Sequence, residues 1–342
     1  MRIAQIATVS TPVRRDHAGS VETVVWLLAR ELTRAGHDVT VFGCAGAECD
    51  GRFVETLPGP YGEAGSPDDW NLCEWLSVAK AVARSREFDV MHCHSYMWGL
   101  PFAALAACPL VHTLHILPYD QEAQLWRMEP AAHVTAISRF QWSAYPDLHP
   151  CAVIPHGVDV EQFRFVERPG DDLVYLGRFI ENKGPLDAVR VARQLGRRLI
   201  LAGPRSDYFT DHVEPLVDDD EVVWVGPVDA AGRRDLLGRA AALVYPLREP
   251  EPFGLVQIEA MLCGTPVAAT SIGAVPEIVD DGVTGALATS ADDLSAAINR
   301  CVGLDRWRVQ QSAAARFTSA RMAADYAGLY GRLASTRASP TR

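Results

Sequence analysis

Short runs of apolar and β-branched residues alternate along the chain with longer stretches in which apolar residues recur every three or four positions. The first runs fall near 3–7, 39–42, 90–92, 110–114, 134–137 and 152–155. A second series falls near 173–176, 199–202, 222–225, 242–245, 267–269 and 285–288. Such runs, bounded by turn residues, read as strands, and the periodic stretches between them read as helices. Between the first two strands, Val21, Val24, Leu28 and Leu32 keep the helical spacing and Gly36 marks the stop. The regular alternation predicts an α/β protein built from two stacks of parallel β/α units.

The polar stretch 159–172 between the two series reads as a linker, giving an expected first domain at 1–160 and a second at 161–320. A last helix is predicted near 321–333, with Tyr326, Leu329 and Tyr330 on one face, and 335–342 reads as a frayed tail. The Gly- and Pro-rich segment 58–69 reads as a long surface loop suited to shaping an acceptor site. No G-x-G-x-x-G follows a strand, which counts against a nicotinamide dehydrogenase.

At 342 residues, 48% hydrophobic and 22% charged, the chain has material for two cores. No apolar run reaches membrane-spanning length, and the opening segment turns polar too quickly for a signal peptide. The expectation is a cytoplasmic enzyme without stable membrane insertion. Eight scattered cysteines with no C-x-x-C pair fit reduced thiols better than a disulfide or zinc framework. A net charge of −11 argues against nucleic acid as a partner. Residues 1–160 hold 11 Lys and Arg against 18 Asp and Glu, a net −7, which favours a soluble acceptor over an anionic lipid surface. Arg so outnumbers Lys that Lys80 and Lys183 are the two lysines of the chain.

Chemistry concentrates in the second half. Glu251 and Glu259 flank a block that runs Glu-Pro-Phe-Gly-Leu-Val-Gln-Ile-Glu and closes on Gly264-Thr265-Pro266. Pro252 suits a first helical turn and Gly254 permits close approach of backbone to ligand, so a helix is predicted from Phe253. Its free N–H groups and positive dipole end make a site for phosphate or sugar oxygens. The alternative is an amphipathic helix with one solvated Glu at each end. Directly after the strand at 173–176 comes Gly177-Arg178-Phe179-Ile180-Glu181-Asn182-Lys183-Gly184, which can set an Arg fork and a Lys point charge on a diphosphate at a helix start.

Both blocks resemble motifs of the retaining glycosyltransferases of family 4, which have the two-domain GT-B fold. The first is similar to the E-x7-E signature, the second to G-R-x-x-x-x-K-G, where Arg and Lys bind the donor pyrophosphate. The resemblance covers most of the chain. Gly19-Ser20-Val21-Glu22 stands in place of a Gly-Gly-x-Glu loop, leaving Gly19 for close approach to the diphosphate and Ser20 as a departure, equally readable as a helix N-cap. His115 matches a histidine that approaches the donor sugar. Ser138-Arg139 and 154–159 match further segments, and the loop from Val225 to Val228 matches one whose backbone meets the nucleobase. The resemblance also implies that the C-terminal helix, within 321–342, returns to the first domain.

It implies, further, transfer of a glycosyl unit from a UDP- or GDP-sugar with retention, no metal or other cofactor being needed. Glu251 would hold sugar hydroxyls, Glu259 the ribose, and Phe253, Gly254 and Leu255 would offer backbone N–H groups. Arg178 and Lys183 would stabilise the departing diphosphate. The expected catalytic set is Glu251, His115, Arg178 and Lys183. The acceptor is expected to be a small molecule or oligosaccharide, as in the antibiotic pathways of GC-rich bacteria. A sugar phosphorylase, a nucleotide-sugar epimerase or a silent sugar-nucleotide-binding protein of similar build could use the same phosphate site. His92 and His94 fall on one strand face, but no carboxylate pattern accompanies them as a metal site would require. Tyr96, Trp98, Tyr119 and Trp126 lie on expected loops and are candidates for stacking on sugar faces.

Overall fold

A computed structural model describes residues 1–15 and 20–337. Gly19 therefore lies outside the described residues. The chain divides into two compact units, one formed by 1–157 with 319–342 and the other by 158–318. None of the described helices is long and apolar enough to cross a membrane.

The first unit runs β1 (Arg2–Ile6), α1 (Ser20–Arg34), β2 (Asp38–Cys44), β3 (Arg52–Leu57), α2 (Trp70–Val82), β4 (Val90–Cys93), β5 (Leu110–Thr113), α3 (Asp120–Met128), β6 (His133–Ala136) and β7 (Ala152–Val153). The second runs β8 (Leu173–Leu176), α4 (Pro185–Leu195), β9 (Leu199–Ala202), β10 (Val222–Trp224), α5 (Ala230–Arg239), β11 (Ala242–Tyr245), α6 (Leu255–Leu262), β12 (Val267–Thr270), α7 (Val275–Ile278), β13 (Gly285–Ala288), α8 (Leu294–Val302) and α9 (Arg306–Arg316). The last helix, α10 (Ser319–Arg337), belongs to the first unit.

Both sheets are parallel and share one order. The first reads β3-β2-β1-β4-β5-β6-β7 and the second β10-β9-β8-β11-β12-β13. Each chain path starts in the middle, winds one way, then returns to wind the other. Each sheet therefore has a switch point, between β1 and β4 in one and between β8 and β11 in the other, where loops leave in opposite directions. A crevice opens there beyond the C-terminal strand ends, and ligands of open α/β sheets collect in it.

Burial on both faces explains the continuous apolar strands. In the first unit Leu28 and Leu32 of α1 pack with Met322, Tyr326 and Tyr330 of α10 over Ile3, Val39 and Val41. The other face buries Ala4, Ile6, Phe42 and Met91 beneath Val78 and Ala81 of α2. In the second unit Val189 and Ala192 of α4 and Ile298 of α8 close on Leu173, Leu201 and Val244. The segment 58–69 holds no helix or strand, as the sequence predicts.

Three local expectations change. β3 has no counterpart among the predicted strands, because this edge strand buries just its last two residues and carries Glu55 beside Phe53 and Val54. The helix predicted from Phe253 begins at Leu255. Phe253 is drawn inward against Phe317, ring centroids 6.4 Å apart, leaving Gly254 as an extended N-cap. Trp126 is no sugar platform, since α3 turns it inward against Trp142 at 4.7 Å.

Candidate functional site

The motif residues of the second unit gather at its switch point. β8 ends at Leu176, and the loop that follows is pinned by Phe179, which packs on Tyr175 and Phe209 with centroids 5.6 and 4.7 Å away. The Tyr175 hydroxyl donates to the Arg178 carbonyl at 2.8 Å, and Ser206 Oγ donates to the Phe179 carbonyl at 2.6 Å. With its neighbour buried and its own backbone held, the Arg178 side chain is left exposed, with no ion-pair partner among the described residues. The loop does not open straight into a helix as expected. A short 3-10 turn, Glu181–Lys183, comes first, then Gly184 at φ +64°, and α4 starts at Pro185. A Cβ at Gly184 would sit 2.0 Å from the Pro246 carbonyl oxygen, so the β8 loop lies tight against the chain leaving β11.

That closeness joins two motifs distant in sequence. Lys183 Nζ forms an ion pair with Glu251 Oε1, and the other carboxylate oxygen accepts from the Tyr245 hydroxyl at 2.5 Å. The Lys183 ammonium also stands 5.7 Å from the Tyr245 ring centroid. Burial first, and then the Glu251 carboxylate, hold the Tyr245 phenol well above its ordinary value, so it serves as a donor. Gly273, at φ +62°, backs the Glu251 peptide, where a Cβ would come within 2.6 Å of the Glu251 nitrogen. The Glu251 carbonyl accepts from Ala274 N–H at 3.0 Å. Sequence reasoning missed Tyr245 and Gly273. A Tyr closing a buried strand reads as core, and no local pattern ties Gly273 to Glu251.

Beyond Glu251, α6 starts with Gly254 as N-cap, and its first turn leaves the N–H groups of Leu255 and Val256 without carbonyl partners inside the helix. Glu259 sits further along α6 and is buried, 3.4 Å from Arg233 Nε. Burial raises its pKa, with Arg233 and Arg234 opposing. The two glutamates thus have different partners. Val228 lines a cavity of about 320 Å³ with Val225, Gly232 and Leu236.

The first unit's switch point has another character. Glu22 of α1 is buried and accepts from the hydroxyls of Thr8, at 2.6 Å, and Ser10. Glu74 of α2 accepts from Val9 N–H at 2.9 Å and from Ser95 Oγ at 2.5 Å, and burial pushes its pKa up to about 7. His94 follows β4, while His115 lies past the end of β5 between His94 and His156, its Nε2 3.1 Å from one ring and its Nδ1 3.3 Å from the other. Both ring nitrogens of His115, the residue expected to approach the donor sugar, are thus engaged by protein. Tyr96 and Trp98, predicted on loops, meet Trp70 and Trp75 of α2 in an edge-to-face cluster in which Trp98 lies 5.7 and 5.3 Å from them. Tyr119 stands exposed immediately before α3.

Two parallel sheets of the same winding, with a cation, a carboxylate and an open helix start at one switch point, define the GT-B class of glycosyltransferases. Residues 21–162 match the model for "Glycosyltransferase Family 4" and residues 170–303 the one for "Glycosyl transferases group 1". The chain belongs to glycosyltransferase family 4. It is 29% identical to the D-inositol 3-phosphate glycosyltransferase of Mycobacterium tuberculosis, across 92% of this chain and 79% of that protein. It superposes on AviGT4, a glycosyltransferase involved in avilamycin A biosynthesis, with TM-score 0.71, 25% identity and 98% of each chain covered. The sucrose-phosphate synthase of Thermosynechococcus elongatus shares the fold, with TM-score 0.78, 23% identity and 98% and 99% of the two chains covered.

Proposed function

We propose that this glycosyltransferase is a retaining enzyme of the cytoplasm that moves a hexosyl unit from a UDP- or GDP-sugar to a soluble small-molecule or oligosaccharide acceptor. The single observation that carries the reading is the meeting of Lys183 and Glu251 at the β8/β11 switch point, with the exposed Arg178 on the same β8 loop as Lys183. A diphosphate needs cations and a sugar needs carboxylates for its hydroxyls, and here both stand within one side chain's reach.

In this reading Arg178 and Lys183 take the diphosphate, Glu251 the sugar hydroxyls and Glu259 the ribose. The α6 start, through Phe253, Gly254 and Leu255, adds backbone donors. The acceptor oxygen bonds to the anomeric carbon on the face from which the diphosphate departs, and the acceptor proton passes to the leaving phosphate oxygen. We assign neutralisation of that leaving group to the two side-chain cations and give no role to a metal. A soluble acceptor suits the acidic first half, and the named activities of the mycobacterial relative and AviGT4 support an acceptor other than a bilayer.

The test is a melting screen with nucleotide sugars, since a ligand held by the folded state alone raises Tm. One UDP- or GDP-sugar is expected to raise Tm by several degrees more than its parent nucleotide and to be turned over when acceptor is supplied. Equal shifts from nucleotide and nucleotide sugar would remove the sugar role of Glu251. Release of sugar 1-phosphate on addition of inorganic phosphate would reassign the chain as a phosphorylase.

A further inference from the structure

Three imidazoles stand in one hydrogen-bonded row at the C-terminal edge of the first sheet. His156 Nε2 lies 3.3 Å from His115 Nδ1, and His115 Nε2 lies 3.1 Å from His94 Nδ1. Neighbouring rings stack with centroids 5.1 and 5.3 Å apart. At its inner end the row meets β1, where His94 Nε2 lies 2.9 Å from Gln5 Oε1. The Gln5 amide nitrogen in turn donates to Tyr330 Oη of α10 at 3.3 Å.

That terminus sets the polarity of the whole row. An amide oxygen accepts and cannot donate, so His94 Nε2 must carry a proton. A neutral imidazole has one donor and one acceptor, so His94 Nδ1 accepts, and His115 must give it the Nε2 proton. By the same step His115 Nδ1 accepts from His156 Nε2–H. One orientation at Gln5 thereby fixes three tautomers. It is also consistent with His92, whose Nδ1 lies 2.6 Å from Tyr330 Oη and whose Nε2 lies 2.7 Å from Thr113 Oγ1.

The row is not a proton wire. A proton entering at His156 would step through His115 to His94 and stop at the Gln5 carbonyl, which cannot pass it on. Nor does the surroundings' charge favour an imidazolium. Among the described residues, the rings of His92 and His112 from β4 and β5, Tyr326 and Tyr330 from α10, and the Arg321 guanidinium face His115 and its neighbours, and these are neutral or positive. Burial, then the neighbouring rings, holds His115 and His94 well below the ordinary range, and burial with Arg321 brings His156 down to about 3.

We propose that His94 and His156 are positioning residues that lock His115 as a neutral Nε2–H imidazole, so that in glycosyl transfer His115 serves as a fixed ring surface and not as an acid or base. The transfer role rests on the function proposed above and on the expected place of His115 in the catalytic set, whereas the lock itself does not. The lock is read by long-range nitrogen–proton NMR on the full chain with labelled histidine. His94, His115 and His156 are expected to show the Nε2–H pattern from pH 6 to 8 without titrating. In His94→Phe the acceptor is gone, and His115 is expected to lose that pattern and divide between its two neutral tautomers, burial still keeping it from titrating between pH 6 and 8. Turnover of the nucleotide sugar that most raises Tm is expected to fall about 10-fold or more, with UDP affinity unchanged. His94→Gln keeps an acceptor toward His115 and a donor toward Gln5, and is expected to recover the His115 pattern and most of the lost turnover. A wild-type His115 found as the Nδ1–H form, or titrating near neutrality, overturns the lock. Unchanged turnover in His94→Phe, with the lock visibly broken, overturns its part in transfer. If no nucleotide sugar is turned over at all, the functional reading has failed and the NMR result still decides the lock.

Discussion

The two switch points share a strand order and differ in chemistry. In the second unit, charge meets charge, with Lys183 on Glu251, Arg233 beside Glu259 and Arg178 reaching outward. In the first unit, neutral rings and hydroxyls satisfy one another, with the histidine row, Gln5, Tyr330 and Thr113 linked by hydrogen bonds. The buried Glu74 has two donors and no cation among its hydrogen-bond partners. Topology decides where side chains converge, and local sequence decides what they do there. An ionic edge can exchange internal partners for a diphosphate. A neutral, internally satisfied edge keeps its geometry through such an exchange.

The largest way to break the contrast is acid. His92, His94 and His115 are held well below the ordinary range, His112 near about 4 and His156 near about 3, each chiefly by burial. Below about pH 6.5 an unfolded chain takes up protons that these folded rings refuse, so stability falls as pH falls. Each such group contributes a slope of roughly 1.4 kcal/mol per pH unit. Glu74 acts the other way, because its raised pKa of about 7 lets the folded state hold a proton that an unfolded chain releases above about 4.5, and that contribution fades as pH rises through 7. Glu259, also raised by burial, acts in the same direction as Glu74, and the five rings outweigh these two carboxyls. Tm is expected to drop by about 10 °C or more between pH 7 and 5.5, and a flat profile would show that the row is charged or hydrated.

The next effect belongs to the charged edge. Lys183→Ala removes the cation proposed to contact a phosphate oxygen, a contact worth about 1.5–3 kcal/mol, so UDP or GDP affinity is expected to fall roughly 10- to 100-fold by calorimetry. Tm without ligand should hold, since Lys183 pairs at the edge and not in the core. Unchanged nucleotide affinity would detach the diphosphate from this lysine.

The charged edge was far more legible in the sequence than the neutral one. Arg178, Lys183 and Glu251 stand in short motifs right after strands, where residue type and spacing already state the chemistry. The strands themselves were legible because burial on both faces demands continuous apolar runs, and β3 escaped because an edge strand does not. His94, His115 and His156 are 21 and 41 residues apart and come together through parallel register, with Cys93 opposite His112 and Thr113 opposite Thr135. Their terminal partners come from β1 and α10, at opposite ends of the chain. A row whose members follow the ends of separate strands leaves no periodic trace. Tyr245 was hidden for a related reason, since its ring belongs to the core and its hydroxyl alone belongs to the site.

The smallest expected effect separates a diphosphate site from a merely ionic one. Lys183 is neutralised by Glu251, so a nucleoside diphosphate bound as proposed would compete with a carboxylate for the same ammonium. Glu251→Gln keeps the size and the Tyr245 contact but removes that competitor. Both side chains retain about a fifth of their exposure, 18% and 22%, so solvent screens the pair, and the gain is held to about 1 kcal/mol. UDP or GDP without sugar should bind about 5-fold tighter, and the gain should shrink with added salt. Turnover should fall in the same variant, because the carboxylate proposed to hold the sugar hydroxyls is gone. Weaker nucleotide binding in Glu251→Gln would mean that Glu251 orders Lys183 for the phosphate instead of occupying it, and the two edges would then differ less than their charges suggest.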